Sequence, residues 1–155
     1  AGPQHPTFSF DLAGNGDLVL TDVAERHEGL RIPASAPTGP YFIIDPRGVV
    51  IAAVAGDIDI STVPRLRERL FKLADGGGTL IVDLNRVTFI DSAGLGALVG
   101  AARRVDAHGG SLHAVCARPQ TRKLLWLTGV DRRIPLAATV DGALMFLAAS
   151  GDARG

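Results

Sequence analysis

Cysteine is almost missing from this sequence, because only Cys116 among 155 residues carries a thiol. A single thiol excludes an internal disulfide framework and fits a reducing compartment. Cys116 ends the apolar run at 112–116, which we interpret as a strand, so we expect its thiol to be buried and inert. No apolar stretch approaches the ~20 residues that a membrane-spanning helix needs. We therefore expect a soluble cytoplasmic protein that has no membrane partner.

The sequence also has no excess of charge, since 16 basic residues balance 16 acidic ones. A neutral chain has no global field to attract nucleic acid, and we expect no direct binding to it. Histidines are few and scattered: His5, His27, His108 and His113. With one cysteine they form no metal-ligand spacing, so we expect no metal and no cofactor.

The first 40 residues differ from the rest, because they contain five of the nine prolines. Alternating apolar residues on either side of the turn at 14–17 predict a β-hairpin, and residues 21–30 then predict one or two helical turns. The prolines at 33–40 predict a linker. We expect an N-terminal arm at 1–40, a domain at 41–150 and a flexible tail at 151–155. The arm could pack on the domain, form a homodimer with a second copy, or belong to a longer polypeptide.

From residue 41 the pattern predicts strands that alternate with helices. Two apolar runs around the turn at 45–48 indicate an antiparallel hairpin, and a Ser or Thr cap with Pro64 announces a helix at 61–74. Another helix opens at Pro119, with Leu124, Leu125 and Leu127 on its apolar side and Trp126 partly buried or at a surface. The fold class is therefore α/β: a mainly parallel sheet with an N-terminal antiparallel hairpin, covered by about four helices.

The chain is organised around residues 79–108. A strand at 80–82 is followed by turn-forming residues at 83–86, and Val87, Phe89 and Ile90 are expected to return to the core. Apolar residues at three- and four-residue spacing then predict an amphipathic helix, with Asp91 or Ser92 as its N-cap. Gly94 and Gly96 leave the first turn open to close approach. The serine hydroxyl would lie beside a helix N-terminus, where phosphate is well tolerated, although a cap alone also explains the Asp-Ser pair.

A serine hydrolase does not fit these residues. Ser92 is not within a Gly-x-Ser-x-Gly motif, and His108 lies at the far end of the same predicted helix. At 1.5 Å per residue the separation is about 24 Å, far beyond the reach of a general base. We therefore expect no enzymatic activity.

Three segments together carry a family resemblance: GDID at 56–59, VDL at 82–84 followed by FIDSAGLG at 89–96, and LLWLTGVD at 124–131. Over about residues 41–149 the chain closely resembles the STAS family of anti-sigma factor antagonists. The resemblance implies a STAS-like fold and a regulator that binds a serine-kinase anti-sigma factor and so releases a sigma factor. The kinase would phosphorylate Ser92 to end binding, and a Ser/Thr phosphatase would reset the switch.

The resemblance also implies a set of site residues. Asp59 stands where the family places a carboxylate near the phosphoacceptor, and Asp57 and Asp91 are its expected neighbours, although loop capping also explains all three. The surface expected to contact the partner continues through Ala93, Gly94, Leu95 and Gly96. Ala93 stands where the family often has a second Ser or Thr, which leaves Ser92 as the acceptor. The alternative is a STAS scaffold, or a ligand- or nucleotide-sensing module, in another signalling assembly.

Overall fold

The computed structural model describes residues 8–12, 18–22, 27–32, 41–44 and 48–151, with side chains from 48 to 149. The first three strands, β1 (Phe8–Leu12), β2 (Leu18–Asp22) and β3 (His27–Ile32), form an antiparallel sheet. The prediction of helical turns at 21–30 is wrong at 21–22 and 27–30, which belong to β2 and β3. Residues 23–26 lie outside the described residues. The linker predicted at 33–40 and the tail beyond 151 lie outside the described residues.

The main sheet contains five strands: β4 (Tyr41–Ile44), β5 (Val50–Ile58), β6 (Thr79–Ile90), β7 (Ser111–Val115) and β8 (Leu136–Ala137). They lie in sequence order across the sheet. β4 is antiparallel to β5, and the other neighbours are parallel. This topology confirms the predicted α/β fold.

Four helices cover the sheet: α1 (Val63–Asp75), α2 (Ser92–Ala107), α3 (Pro119–Leu127) and α4 (Val140–Gly151). The first three contribute to one large apolar cluster with Ala52 and Val54 of β5. α4 packs against the other face, where Ile51 and Ala53 belong to a second cluster. β5 is thus apolar on both faces, as expected for a strand covered on two sides. β1 contacts α4.

β6 is longer than the sequence pattern predicted. It runs without interruption from Thr79 to Ile90, so the turn expected at 83–86 is absent from this strand. Asp83 is buried, and its carboxylate accepts a hydrogen bond from the Asn85 N–H at 2.9 Å. The pairing of β6 with β5 shifts register at two places along the strand. One result is that Phe89, expected in the core, is 53% exposed.

Side-chain contacts at the surface hold α1 and α2 together. Two guanidinium groups lie over the Phe71 ring, with the Arg67 Cζ 5.2 Å and the Arg104 Cζ 4.7 Å from the ring centroid. Arg104 also donates two hydrogen bonds to the Asp75 carboxylate, each 2.9 Å long. Gly100 provides the room, since a Cβ there would lie 2.9 Å from Phe71 Cζ. These contacts fix the orientation of α2.

α3 presents a different face from the one predicted. Leu125 is fully buried and Leu124 packs beside the core, as expected. Leu127, also predicted to face inward, is 62% exposed, and Trp126 is 64% exposed. In a helix of nine residues only a narrow stripe meets the sheet, and here that stripe is centred on Leu125.

Candidate functional site: the carboxyl ends of β5 and β6

Two loops meet where β5 and β6 end. The strands are parallel, and Ile58 pairs with Ile90 at their carboxyl ends. The segment after β5 therefore lies beside Asp91 and Ser92, and the Asp91 N–H donates to the Ile58 carbonyl at 3.1 Å. The fold thus brings the residues predicted from the sequence to one edge of the sheet: Asp57, Asp59, Asp91 and Ser92.

Asp91 is the N-cap of α2. Its backbone is extended, at φ −104° and ψ −174°, and its carboxylate accepts a hydrogen bond from the Gly94 N–H at 3.1 Å. Its carbonyl accepts the Leu95 N–H at 3.0 Å. The first turn of the helix is therefore capped without any contribution from the serine. The sequence left Asp91 and Ser92 as alternatives, and the geometry assigns the cap to Asp91.

Ser92 is the first residue of α2 and is exposed. Within the described part of the chain, its hydroxyl makes no hydrogen bond. A hydroxyl in this position is accessible to a modifying enzyme. A phosphate attached here would lie close to the free N–H groups and the positive end of the helix dipole.

Gly94 and Gly96 have different roles, although the sequence treated them alike. A Cβ on Gly94 would lie 2.6 Å from Ile58 Cγ2 and 2.7 Å from Ile90 Cγ1. Gly94 therefore lets α2 approach both strands. Gly96 is exposed, and a Cβ there would meet nothing within 4 Å. The first turn, predicted to be open to close approach at both glycines, is open at Gly96, whereas the strands already fill the space beside Gly94.

The surface predicted to contact a partner is also narrower than the motif. Leu95 is buried in the large apolar cluster beneath α2, and Gly94 is buried against the strands. They hold the helix in place and present no side chain outward. Ala93 is partly exposed, so within residues 92–96 the outward-facing positions are Ser92, Ala93 and Gly96.

Asp59 organises the loop between β5 and α1. One oxygen of its carboxylate accepts hydrogen bonds from the Ser61 hydroxyl at 2.6 Å, the Ser61 N–H at 2.9 Å and the Thr62 N–H at 3.2 Å. The Ser61 hydroxyl, followed by its N–H, lowers the pKa of Asp59 below its usual value. Thr62 occupies the predicted cap position of α1, but its hydroxyl bonds within the loop rather than to the helix. The carboxylate is ionised at neutral pH.

Asp57 is exposed at the end of β5. Its carboxylate accepts a hydrogen bond from the Thr88 hydroxyl of β6 at 2.6 Å. The contact links the two strands just before the Ser92 loop. Asp57 is thus both oriented by its neighbour and open to a partner.

Two exposed apolar side chains at this edge were not predicted from the sequence. Ile60, in the loop beside Asp59, is 80% exposed, and Phe89 pairs with Asp57 across the strands. Ile60 could have been found from its position between the polar residues Asp59 and Ser61. The exposure of Phe89 had no signal in the sequence, because the orientation of its side chain depends on the register shift between β5 and β6. Apolar side chains beside an exposed serine are suited to a protein interface.

Metal and hydrolase chemistry find no support at this edge. The described residues contain no group of three potential metal ligands. His108 is the C-cap of α2, a helix of 16 residues, and its ring lies 3.5 Å from the Asp75 carboxylate. His113 is buried in β7. Neither histidine can serve Ser92 as a base.

Comparisons with known proteins agree with this geometry. A STAS domain model matches residues 44–143. The chain is 36% identical over 91 residues to the anti-sigma-B factor antagonist of Bacillus subtilis, covering 59% of this chain and 84% of that protein. It is 29% identical over 103 residues to the anti-sigma-F factor antagonist RsfB of Mycobacterium tuberculosis, covering 66% and 84%.

A solved structure of an anti-sigma factor antagonist is also similar to this chain. That of an anti-sigma factor antagonist from Mycobacterium paratuberculosis has a TM-score of 0.63 and 32% identity, covering 74% of this chain and 98% of that one. These relatives are regulators and not enzymes, as the sequence predicted for this chain. Among the described residues, no helix is long and apolar enough to cross a membrane. Since the family model spans most of the sequence, the chain belongs to the STAS domain family.

Proposed function

We propose that this chain is an anti-sigma factor antagonist that binds a serine-kinase anti-sigma factor and releases a sigma factor. Phosphorylation of Ser92 ends the binding, and a Ser/Thr phosphatase restores it, all within the cytoplasm. The general role rests on relatives that are named for it. The observation that carries the switch is the exposed hydroxyl of Ser92 at the start of α2.

Access of the kinase to Ser92 needs no rearrangement of the fold. Asp91 caps the helix, so the Ser92 hydroxyl is free to be phosphorylated without loss of a structural contact. Asp57 is exposed at the same edge of the sheet, where it pairs with Phe89, and is our first choice for a kinase-contacting carboxylate. Asp59 accepts hydrogen bonds within its own loop and Asp91 accepts one from the first turn of α2, so both act mainly by positioning their segments.

Release follows from charge at an apolar interface. A partner that covers Ile60 and Phe89 would also cover Ser92, which lies at the same edge. A phosphate adds roughly −1.5 to −2 charges, and it would join the carboxylates of Asp57, Asp59 and Asp91. Burying that charge without new cations is costly. Phosphorylation therefore acts at the interface rather than through a change of fold.

The test is intact-mass spectrometry after the protein is incubated with ATP and each serine-kinase anti-sigma factor of its own source. We expect one added phosphate on the wild type and none on Ser92→Ala. Ser61→Ala is the matched control, because Ser61 is an exposed serine at the same edge whose hydroxyl bonds to Asp59. Phosphate lost in Ser61→Ala and retained in Ser92→Ala would contradict the proposal. Binding without phosphate would favour a scaffold.

A further inference from the structure

α3 exposes two large apolar side chains next to each other. Trp126 is 64% exposed and Leu127 is 62% exposed, while Leu125 between α3 and the sheet is buried. Single exposed apolar residues are common on protein surfaces and need no explanation. A tryptophan beside a leucine at the end of a short helix is a larger apolar area, and it lies outside the Ser92 site.

The surroundings of this apolar pair are strongly basic. Residues 118–133 contain five basic residues and one acidic residue, a net charge of +4 in a chain whose total is zero. Arg118 and Arg122 donate to the backbone carbonyls of Val87 and Cys116. The others, Lys123, Arg132 and Arg133, are exposed, and none forms an ion pair with another described residue. Their charge is directed to solvent.

The surface is held rigidly. Leu125 anchors α3 in the core, and the Thr128 hydroxyl donates to the Leu124 carbonyl at 2.7 Å. The Arg122 guanidinium bonds the Cys116 carbonyl at 2.8 Å. A surface that is already ordered loses little entropy when it binds. Trp126 is therefore presented by a fixed helix and not by a loop.

We propose that Lys123, Trp126, Leu127, Arg132 and Arg133, the α3 surface, form a second docking surface for an acidic segment with apolar side chains on the anti-sigma factor. The inference rests on the proposed function. Charge complementarity selects an acidic partner, and tryptophan and arginine are the residues that most often dominate protein interfaces. A second copy of this chain is disfavoured, since two α3 surfaces of the same sign would repel.

One partner can reach both surfaces. α3 begins beside β6, where the Arg118 guanidinium donates to the Val87 carbonyl at 2.5 Å. Trp126 is seven residues further along, which is about 10 Å of helix. An interface of ordinary size covers about 800 Å² on each protein, a patch roughly 30 Å across. Because the two surfaces share no described contact, their contributions to affinity should be nearly independent. The α3 surface would thus contribute as much to the affinity for the anti-sigma factor after Ser92 is phosphorylated as before.

The experiment measures the dissociation constant of the purified anti-sigma factor for a set of variants of the full chain. We expect Trp126→Ala, and separately Arg132→Glu with Arg133→Glu, to weaken binding by about tenfold. Arg69→Glu with Lys72→Glu is the matched control, because it makes the same change of charge at exposed positions of α1. It should alter affinity less than twofold. Melting curves establish that each variant is folded.

Two further measurements sharpen the result. The weakening factor of Trp126→Ala should be the same in a Ser92→Glu background, where the phosphate site is mimicked. Trp126 is the single tryptophan of the chain, so a fluorine label on tryptophan reports this surface alone, and its resonance should shift when the anti-sigma factor is added. This readout requires no substitution.

Three outcomes would overturn the inference. Unchanged affinity of both α3 variants with an unshifted fluorine resonance would leave the proposed function intact and remove the second surface. Loss of binding to vesicles of anionic phosphatidylglycerol in these variants, with unchanged affinity for the anti-sigma factor, would assign the surface to a membrane. Failure of the wild-type chain to bind any anti-sigma factor would remove the proposed function and this inference with it.

Discussion

The Asp91 carboxylate accepts a hydrogen bond from the Gly94 N–H at 3.1 Å, so Asp91 caps the helix that Ser92 begins. We expect Asp91→Ala to lower the free energy of unfolding by about 1 kcal/mol, the usual cost of a lost cap. Asp91→Ser should retain most of the wild-type stability, because a serine hydroxyl can also accept the hydrogen bond from the Gly94 N–H. Urea unfolding of the three proteins checks the prediction, and equal losses in both variants would argue against the cap.

Gly94 and Gly96 provide a matched pair two residues apart in one helix. Gly94→Ala should destabilise the protein by roughly 1–3 kcal/mol, because the new methyl group overlaps Ile58 and Ile90. Gly96→Ala should be neutral or stabilise by up to ~1 kcal/mol, since alanine favours a helix and the position is open. Thermal unfolding would reveal the difference. Equal effects of the two substitutions would be inconsistent with the packing described.

Asp75 gives stability a dependence on pH. Its hydrogen bonds from Arg104, and the nearby charges of Arg104 and His108, lower the pKa of Asp75 in the folded chain. The unfolded chain therefore binds a proton at higher pH than the folded chain does. The ionised Asp75 carboxylate therefore stabilises the folded chain above the pKa that Asp75 has in the unfolded chain, and this stabilisation is lost as pH falls through its pKa in the folded chain.

Asp75→Asn should thus be less stable than wild type at neutral pH, and the difference should vanish in acid. The effect will be small and sensitive to salt, because both partners are largely exposed. Asp106→Asn is the control, as Asp106 is an exposed carboxylate on α2. A difference between Asp75→Asn and wild type that persisted in acid would contradict the assignment.

Cys116 should be unreactive in the native protein. It follows β7 directly and is buried, and burial raises the pKa of its thiol, so little thiolate is present at neutral pH. Ellman's reagent should label native protein very slowly and label it fully in urea. Rapid labelling of native protein would mean that this part of the sheet opens readily.

The N-terminal strands are expected to govern assembly. β1 contacts α4, which packs on the opposite face of the sheet from α2. Deleting residues 1–38 should therefore change the oligomeric state measured by light scattering more than the affinity for the anti-sigma factor. If the arm forms a homodimer, the deleted protein will be monomeric. Unchanged values for both quantities would remove any role for the arm in either process.

The helical elements of the site could be predicted because their signals are local. The acidic cap before Ser92 and the apolar spacing after it both lie within one segment, and α2 forms there as expected. Phe89 could not be placed, since its outward orientation depends on how β6 registers with β5. Leu95 shows the converse: its place in a recognition motif suggested exposure, and packing beneath α2 buries it. The basic surface around Trp126 was hidden by a neutral total charge.

Because Asp91 caps the helix and Ser92 does not, the method chosen to test for phosphorylation of Ser92 matters. The bonds that secure the start of α2 run from Asp91 to Ile58, Gly94 and Leu95 and bypass the serine hydroxyl. Adding a phosphate to that hydroxyl breaks none of these bonds, so the melting temperature should shift by only the few degrees that a negative charge at a helix N-terminus contributes. Native gels and ion-exchange columns, which respond to charge, would separate the two forms more clearly than thermal-shift screens.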